Sequence, residues 1–567
     1  MITEGIIISN SEGIRLKYDI YEDICFENYF DKLFNECKGK YENFYKDIDK
    51  IGRCVYRRYQ IWMANKLLAK DNRNKFIYNL IFYNKISEEW KKQTEIGIVK
   101  SDYSTSFFEE NEIEIIRNKL LIEFIDVTNL YAYGAKIINY DQWYDVQLVP
   151  VGVGRSNIIN IIEKNNIFKN NIDKSKIIKL CLDYTTQKKK DENISKKACE
   201  IMKYYIEKSM ENSSFNILDE ISDCLIVTFK LSNYCKEWIE RFFDNLINNY
   251  NSTDRDKKRI AEIIIEFVIK NSWPQLTVNL TERLCNMAVL IWKEDNEDKG
   301  IYPRENDLYG LSDDYDYSYS SINDNIFLWN LFRNNFYFGV EWAINFVNEC
   351  IENYIQNCPE RVKKIKLIFV DENYLEREYY GNPDMWIGCA EEHHVHTLLS
   401  DIVYNIKEAM INYIDRNISS KNVFKFLEYV KDIIYKKSNN IILLTIIENI
   451  GLHYQNEFPG YAVDLISSID IVEWDFHRFT MYKTNPQLEM LKKQILLKVG
   501  IPKLRERYLK DSKCGVSIEQ YVQDIQINGN LKIKEKCYKI LDYLYSIVSN
   551  DKENATKYLQ IQKMDFR

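Results

Sequence analysis

The sequence predicts a mainly α protein, built as irregular, solenoid-like stacked helical hairpins with a short β-hairpin at the N-terminus. Three observations carry this. Gly (18) and Pro (8) are scarce in 567 residues, and these residues punctuate turns and break helices. Amphipathic stretches of helical period recur along most of the chain. Their connections are short, so neighbouring helices must bury their apolar stripes on one another. No fixed sequence period is present, so the array is irregular.

The elements follow in order. GIIIS and IRLKYD are β-rich segments joined across Asn10-Ser11-Glu12-Gly13, a hairpin signal. IYEDICFENYFDKLF follows as an amphipathic helix. Helices are predicted over 52–70, 113–131, 195–211, 216–229, 234–250 and 256–271, the last capped by Asn251-Ser252-Thr253-Asp254. Residues 137–157 read as an irregular loop. Residues 295–324 are acidic and Tyr-rich and lack a helical period, so a boundary is placed there. Helices resume over 340–357, where Ala343, Phe346, Val347, Cys350 and Tyr354 share a face. Further helices are predicted over 395–414, 421–437, 440–454, 485–498, 515–525 and 534–548. The expected organisation is 1–50 (hairpin plus helix), 51–294 (first helical array), 295–324 (connecting loop) and 325–567 (second helical array).

Composition excludes several classes. Apolar residues are 46% and charged residues 29%, a globular balance. Net charge is −8, from 77 basic and 85 acidic residues, so nucleic acid is not the expected partner. No apolar run approaches the roughly 20 residues of a membrane span. The N-terminus lacks the basic and apolar regions of a secretory signal. The 13 cysteines form no C-x-x-C pair, which fits a reducing cytoplasm rather than a disulfide framework.

Three of the five histidines fall in CAEEHHVH, residues 389–396. On a continued helix, Cys389, His393 and His396 lie on one stripe at i, i+4 and i+7. Seven residues of helix rise about 10 Å, whereas zinc ligands sit about 2.0–2.3 Å from the ion. One straight helix therefore offers two of these ligands, not three. The expectation is no metal site, with Cys389, Glu392, His393 and His396 as the residues a metal-dependent hydrolase would use. The plain alternative is a polar helix start, with Glu391 and Glu392 at the positive end of the dipole. VGVGRS (151–156) fails the G-x-x-x-x-G-K-[ST] spacing, because Arg155 follows Gly154. Asp475 and Arg478 are spaced i, i+3 for a helix ion pair. No catalytic constellation and no cofactor motif is found, so catalytic residues are expected to be none.

Residues 5–31, GIIISNSEGIRLKYDIYEDICFENYFD, resemble the end of the winged-helix module of STAND-type NTPases. YGLSDDYDYSYSSINDNIFLWNLF (309–332), VEWAINFVNECIENY (340–354), GNPDMW (381–386) and VEWDFHRF (472–479) resemble successive blocks of the C-terminal helical region of bacterial antiviral members. The resemblance implies a chain that starts inside the winged helix, with the P-loop ATPase core absent. Tyr18-Asp19 then occupy the family's nucleotide-sensing His-Asp position, with the His replaced. It implies a non-catalytic sensor that binds an invading phage protein and couples to a separately encoded P-loop ATPase. A generic helical scaffold and the metal-dependent hydrolase are the alternatives. Exposed Tyr and Trp on a concave helical surface would anchor a partner.

Overall fold

The computed structural model describes residues 7–10, 13–16, 19–140, 143–170, 173–211, 216–271, 274–293, 306–312, 326–391, 396–484, 516–548 and 554–567. It is mainly α, with three separate two-stranded antiparallel sheets among the described residues. No helix among these residues is long and apolar enough to cross a membrane. The chain divides into two compact units. The first is Met1–Asn245 with Ser252–Ile260, the second Leu246–Asn251 with Ala261–Arg567.

In the first unit, β1 (Ile7–Asn10) pairs with β2 (Gly13–Leu16), Asn10 opposite Gly13. Helix α1 (Asp19–Glu36) follows, as the amphipathic pattern predicts. Next come α2 (Tyr41–Asp49), α3 (Tyr56–Trp62), α4 (Asn74–Ile81), α5 (Glu88–Lys100), α6 (Thr105–Arg117) and α7 (Leu120–Tyr131). The helix predicted over 52–70 is a 3-10 turn, α3 and one π-helical stretch, Met63–Leu68. The helix predicted over 113–131 is broken, because Lys119 takes the left-handed conformation between α6 and α7. Helix α5 is central: residues 93–99 are all buried. An aromatic core of Phe30, Phe44, Tyr45, Tyr59, Trp62 and Trp90 packs beside it.

The loop expected over 137–157 is corrected. Strands β3 (Tyr133–Tyr140) and β4 (Trp143–Pro150) form a fully registered hairpin, Tyr133 opposite Pro150. A short turn then leads into α8 (Gly154–Lys164). Helix α9 (Lys174–Tyr184), absent from the sequence reading, is followed by α10 (Glu192–Glu211), α11 (Ile217–Lys230), α12 (Lys236–Tyr250) and α13 (Arg255–Lys270), close to their predicted positions. Asp254 caps α13 by accepting the Asp256 and Lys257 amides.

The second unit continues through α14 (Pro274–Asn279), α15 (Thr281–Trp292), α16 (Ile326–Asn334) and α17 (Phe336–Asn357). Most of the expected connection at 295–324 lies outside the described residues; Asn306–Tyr309 is a 3-10 turn. The α17 stripe Ala343, Phe346, Val347, Cys350 and Tyr354 is buried as its spacing predicts. A hairpin absent from the sequence reading follows, β5 (Lys363–Phe369) with β6 (Leu375–Gly381). Then come α18 (Pro383–Glu391), α19 (Thr397–Asn417), α20 (Lys421–Lys437), α21 (Ile441–His453) and α22 (Ile469–Thr484). The chain closes with α23 (Ile518–Asn528), α24 (Leu531–Ile547) and α25 (Ala555–Met564). The helix predicted over 485–498 lies outside the described residues.

Candidate functional site

The second unit presents a stripe of aromatic rings along α17 and α20. Tyr413 of α19 packs against Phe426 (4.3 Å between centroids), Phe426 against Phe336 (5.1 Å), and Tyr337 edge-on against Tyr429 (4.8 Å). The inner member, Phe426, is buried, while Tyr337 is 53% exposed and Phe424 is 55% exposed. Phe338 and Tyr429 are exposed as well. The water-facing pair Tyr337–Tyr429 offers apolar faces with polar tips, the chemistry that anchors protein partners.

Both ends of the stripe are fixed by asparagines. Asn335 precedes α17 and donates from Nδ2 to the Thr277 carbonyl (2.8 Å) and Thr281 Oγ1 (2.9 Å). At the far end, Asn348 Nδ2 donates to the Lys437 carbonyl (2.8 Å). Asn440 Nδ2 donates to Asn348 Oδ1 (2.7 Å), while Asn440 Oδ1 caps α21 by accepting the Leu443 amide. Lys437 also pairs with Glu341 at 2.9 Å. The two helices run side by side between these ties, so the rings sit on a rigid support.

Below this surface lie two buried ionic clusters. Asp464, 1% exposed, takes Lys431 (2.9 Å) and Lys536 (2.6 Å), and Lys536 also reaches Asp371 (2.8 Å). Burial pushes the Asp464 carboxyl up, and the two ammonium groups outweigh it, so it titrates below the ordinary range. Nearby, Tyr521 Oη accepts the amides of Gly460 and Ala462. In the second cluster Arg478 binds Asp475 (2.6 Å) and Glu448 (3.0 Å). Asp475 also accepts the Ile518 amide, and Arg478 donates to the Val516 carbonyl. The expected Asp475–Arg478 helix pair is therefore present, as an interior strut. Burial holds the Glu448 carboxyl far above the ordinary range despite Arg478.

The CAEEHHVH stretch does not form one helix. Helix α18 ends at Glu391 and α19 begins at Thr397. Cys389 therefore sits on α18 and His396 just before α19, which overturns the single-helix stripe. Glu391 lies at the negative end of α18 rather than at a helix start. Glu392 and His393 lie outside the described residues, as does Tyr18; Asp19 opens α1. His396 is buried, and its Nδ1 accepts the Leu398 amide at 3.1 Å as the cap of α19. Among the described residues no group of three or more His, Cys, Asp or Glu side chains is placed to hold a metal ion. Burial pushes the Cys224, Cys350 and Cys537 thiols up to about 12, away from the thiolate a nucleophile needs.

VGVGRS is a packing joint. Gly152 has φ +73°, and a Cβ there would meet the Lys100 backbone at 2.5 Å; one at Gly154 would meet the Val99 carbonyl oxygen at 2.6 Å. The glycines let this turn press on the end of α5. Arg155 is fully buried and donates to the carbonyls of Ala132 (2.7 Å) and Thr128 (3.2 Å). It also lies 3.6 Å from Asp183 and over the Tyr133 ring.

No protein-family model matches the chain, and no curated protein matches its sequence.

Proposed function

We propose that the chain is a non-catalytic recognition module of an antiviral defence system, cytoplasmic, and coupled to a separately encoded P-loop ATPase. The observation that carries this reading is the exposed ring pair Tyr337–Tyr429, with Phe338 and Phe424 exposed on the same two helices. Clustered exposed rings mark interaction surfaces more often than scattered ones do. The resemblance of the N-terminal hairpin and helix to a winged-helix tail, and of four later blocks to antiviral STAND proteins, supplies the class of partner: an invading phage protein. Tyr18-Asp19 then mark the position at which that family senses nucleotide. The Gly-containing turn at 151–154 acts in packing, in keeping with a module that leaves nucleotide chemistry to its partner.

The test is affinity purification of the tagged chain from its host, with and without phage infection, read by mass spectrometry. Recovery of a phage protein, lost in a Tyr337→Ala/Tyr429→Ala double variant, supports the proposal. Recovery that is identical with and without infection, and unaffected by the double variant, overturns it.

A further inference from the structure

Two carboxyls meet one guanidinium in the core of the second unit. Glu448 of α21 is 1% exposed and Asp475 of α22 is fully buried. Both lie against the same nitrogen of Arg478, Nη2, at 3.0 and 2.6 Å. One guanidinium balances one carboxylate, so ionising both carboxyls strands a buried charge.

The contacts decide which carboxyl keeps its charge. Asp475 accepts from Arg478 Nε (2.8 Å) as well as meeting Nη2, and its other oxygen accepts the Ile518 amide. Glu448 meets Nη2 with one oxygen and Asn449 Nδ2, at 3.5 Å, with the other. Donors favour the charged form of a carboxyl. Asp475 has the more and the closer donors, so the proton falls to Glu448.

We propose that Glu448 is the proton-binding member of a pH-sensitive joint that ties the entrance of α23 to α21 and α22. Arg478 donates to the Val516 carbonyl and Asp475 accepts the Ile518 amide, so the pair grips the chain on both sides of Ser517, the cap of α23. With Glu448 neutral, Arg478 and Asp475 hold this grip undisturbed. With Glu448 ionised, two like charges compete for one guanidinium.

The surrounding elements supply few rival charges. Asp475 and Arg478 of α22 and half-buried Lys407 of α19 act on Glu448, and α19 also carries the buried acids Asp401 and Glu408. On α20, Lys431 pairs with Asp464 and lies over the Tyr435 ring. On β6, Tyr379 donates to the Tyr435 carbonyl, and Glu376 and Glu378 pair with Lys366 and Lys364. Tyr521 of α23 accepts the Gly460 and Ala462 amides, Glu519 lies in the first turn of α23, and Asp384 of α18 is exposed. His453 ends Glu448's own helix. Burial first pushes the Glu448 carboxyl up, Arg478 opposes, and Asp475 adds to the rise.

With the joint open, Glu448 titrates at its ordinary value of 4.5; with it closed, well above. Closing therefore takes up a proton between these values. The stabilising share of Glu448 is complete at and below its ordinary value and is lost as pH rises toward the closed-state value. Opening becomes easier by up to about tenfold per pH unit in that window.

The test is hydrogen exchange on the full chain from about pH 5 to about pH 9, with intrinsic rates divided out. The Ile518 amide, whose acceptor is Asp475, reports the joint directly. Its protection is expected to fall as pH rises while α10 and α11 of the first unit hold steady. Glu448→Gln, a neutral isostere, should fold and abolish the fall. Asp475→Asn leaves Arg478 to Glu448 alone, so Glu448 keeps its charge and the fall should disappear by the opposite route. No fall in the native chain overturns the joint, as does the same fall in α10 and α11. A fall that persists in either variant overturns it too. Failure of Glu448→Gln to fold also counts against it, because the amide should fit where the neutral acid sits, and Asp475→Asn then supplies the independent reading.

Discussion

Two buried arginines, one in each unit, do the same job with different partners. Arg155 holds the point where the chain leaves α7 for the β3–β4 hairpin and returns at α8. Arg478 ties α22 to the residues just before α23. Arg155 relies on two backbone carbonyls and one partly exposed acid, Asp183. Burial draws its guanidinium below the usual value, with Asp183 opposing. Arg478 is tied to two buried acids, Asp475 and Glu448. The contrast teaches that the cost of losing a buried cation depends on what it leaves behind.

That comparison breaks most sharply at Arg478. Arg478→Met leaves Asp475 buried and uncompensated, and should cost about 3–5 kcal/mol in chemical denaturation of the second unit. Arg155→Met strands carbonyls and an acid that water reaches, so a smaller loss of about 2–3 kcal/mol is expected, seen in the first unit's unfolding. Equal losses would mean that the carboxylates add nothing. Glu448→Gln sharpens the point: burial pushes its carboxyl up, so the amide is expected to change stability by no more than about 1 kcal/mol. A loss as large as that of Arg478→Met would show that Glu448 is ionised. The smallest effect belongs to His396→Ala, which removes a helix cap and should cost about 1 kcal/mol in thermal unfolding.

Acid separates the two clusters of the second unit. Asp464 titrates below its unfolded value, so its contribution is complete above the ordinary carboxylate range and is lost as pH falls through and below it. Glu448 titrates above its unfolded value, so its contribution falls as pH rises out of that range. Asp464→Asn should therefore flatten the acid limb of a stability–pH profile. Glu448→Gln should flatten the limb above it.

The helices were legible because their signals are local. The period of α17 and the cap at Asp254 need no knowledge of distant chain. The hairpins were not. Tyr144-Asp145-Val146-Gln147-Leu148 alternates as a strand should, but the sequence before it, Asp141-Gln142, lacks the Gly or Asn that signals a tight hairpin. The β5–β6 connection ends in Asn373 and Tyr374, both at positive φ, and Tyr gives no turn signal. The break at Lys119 is hidden for the same reason. The aromatic stripe was out of reach in another way. With 42 Tyr and 27 Phe in the chain, nothing in the pattern separates the rings that face water from those of the core. His396 was noticed for its rarity, and its work as a cap depends on a helix break that the sequence conceals.

The Asp464 cluster bears on synthesis. Lys431 is made before Asp464, but Lys536 and Tyr521, which complete its surroundings, emerge from the ribosome later. Until they do, the 460–468 segment holds a carboxylate with half its counter-charge and amides without their acceptor. The second unit therefore cannot reach its final packing until α24 has been translated. A ribosome stalled before that helix would display an incompletely closed α20–α21 region to chaperones and proteases.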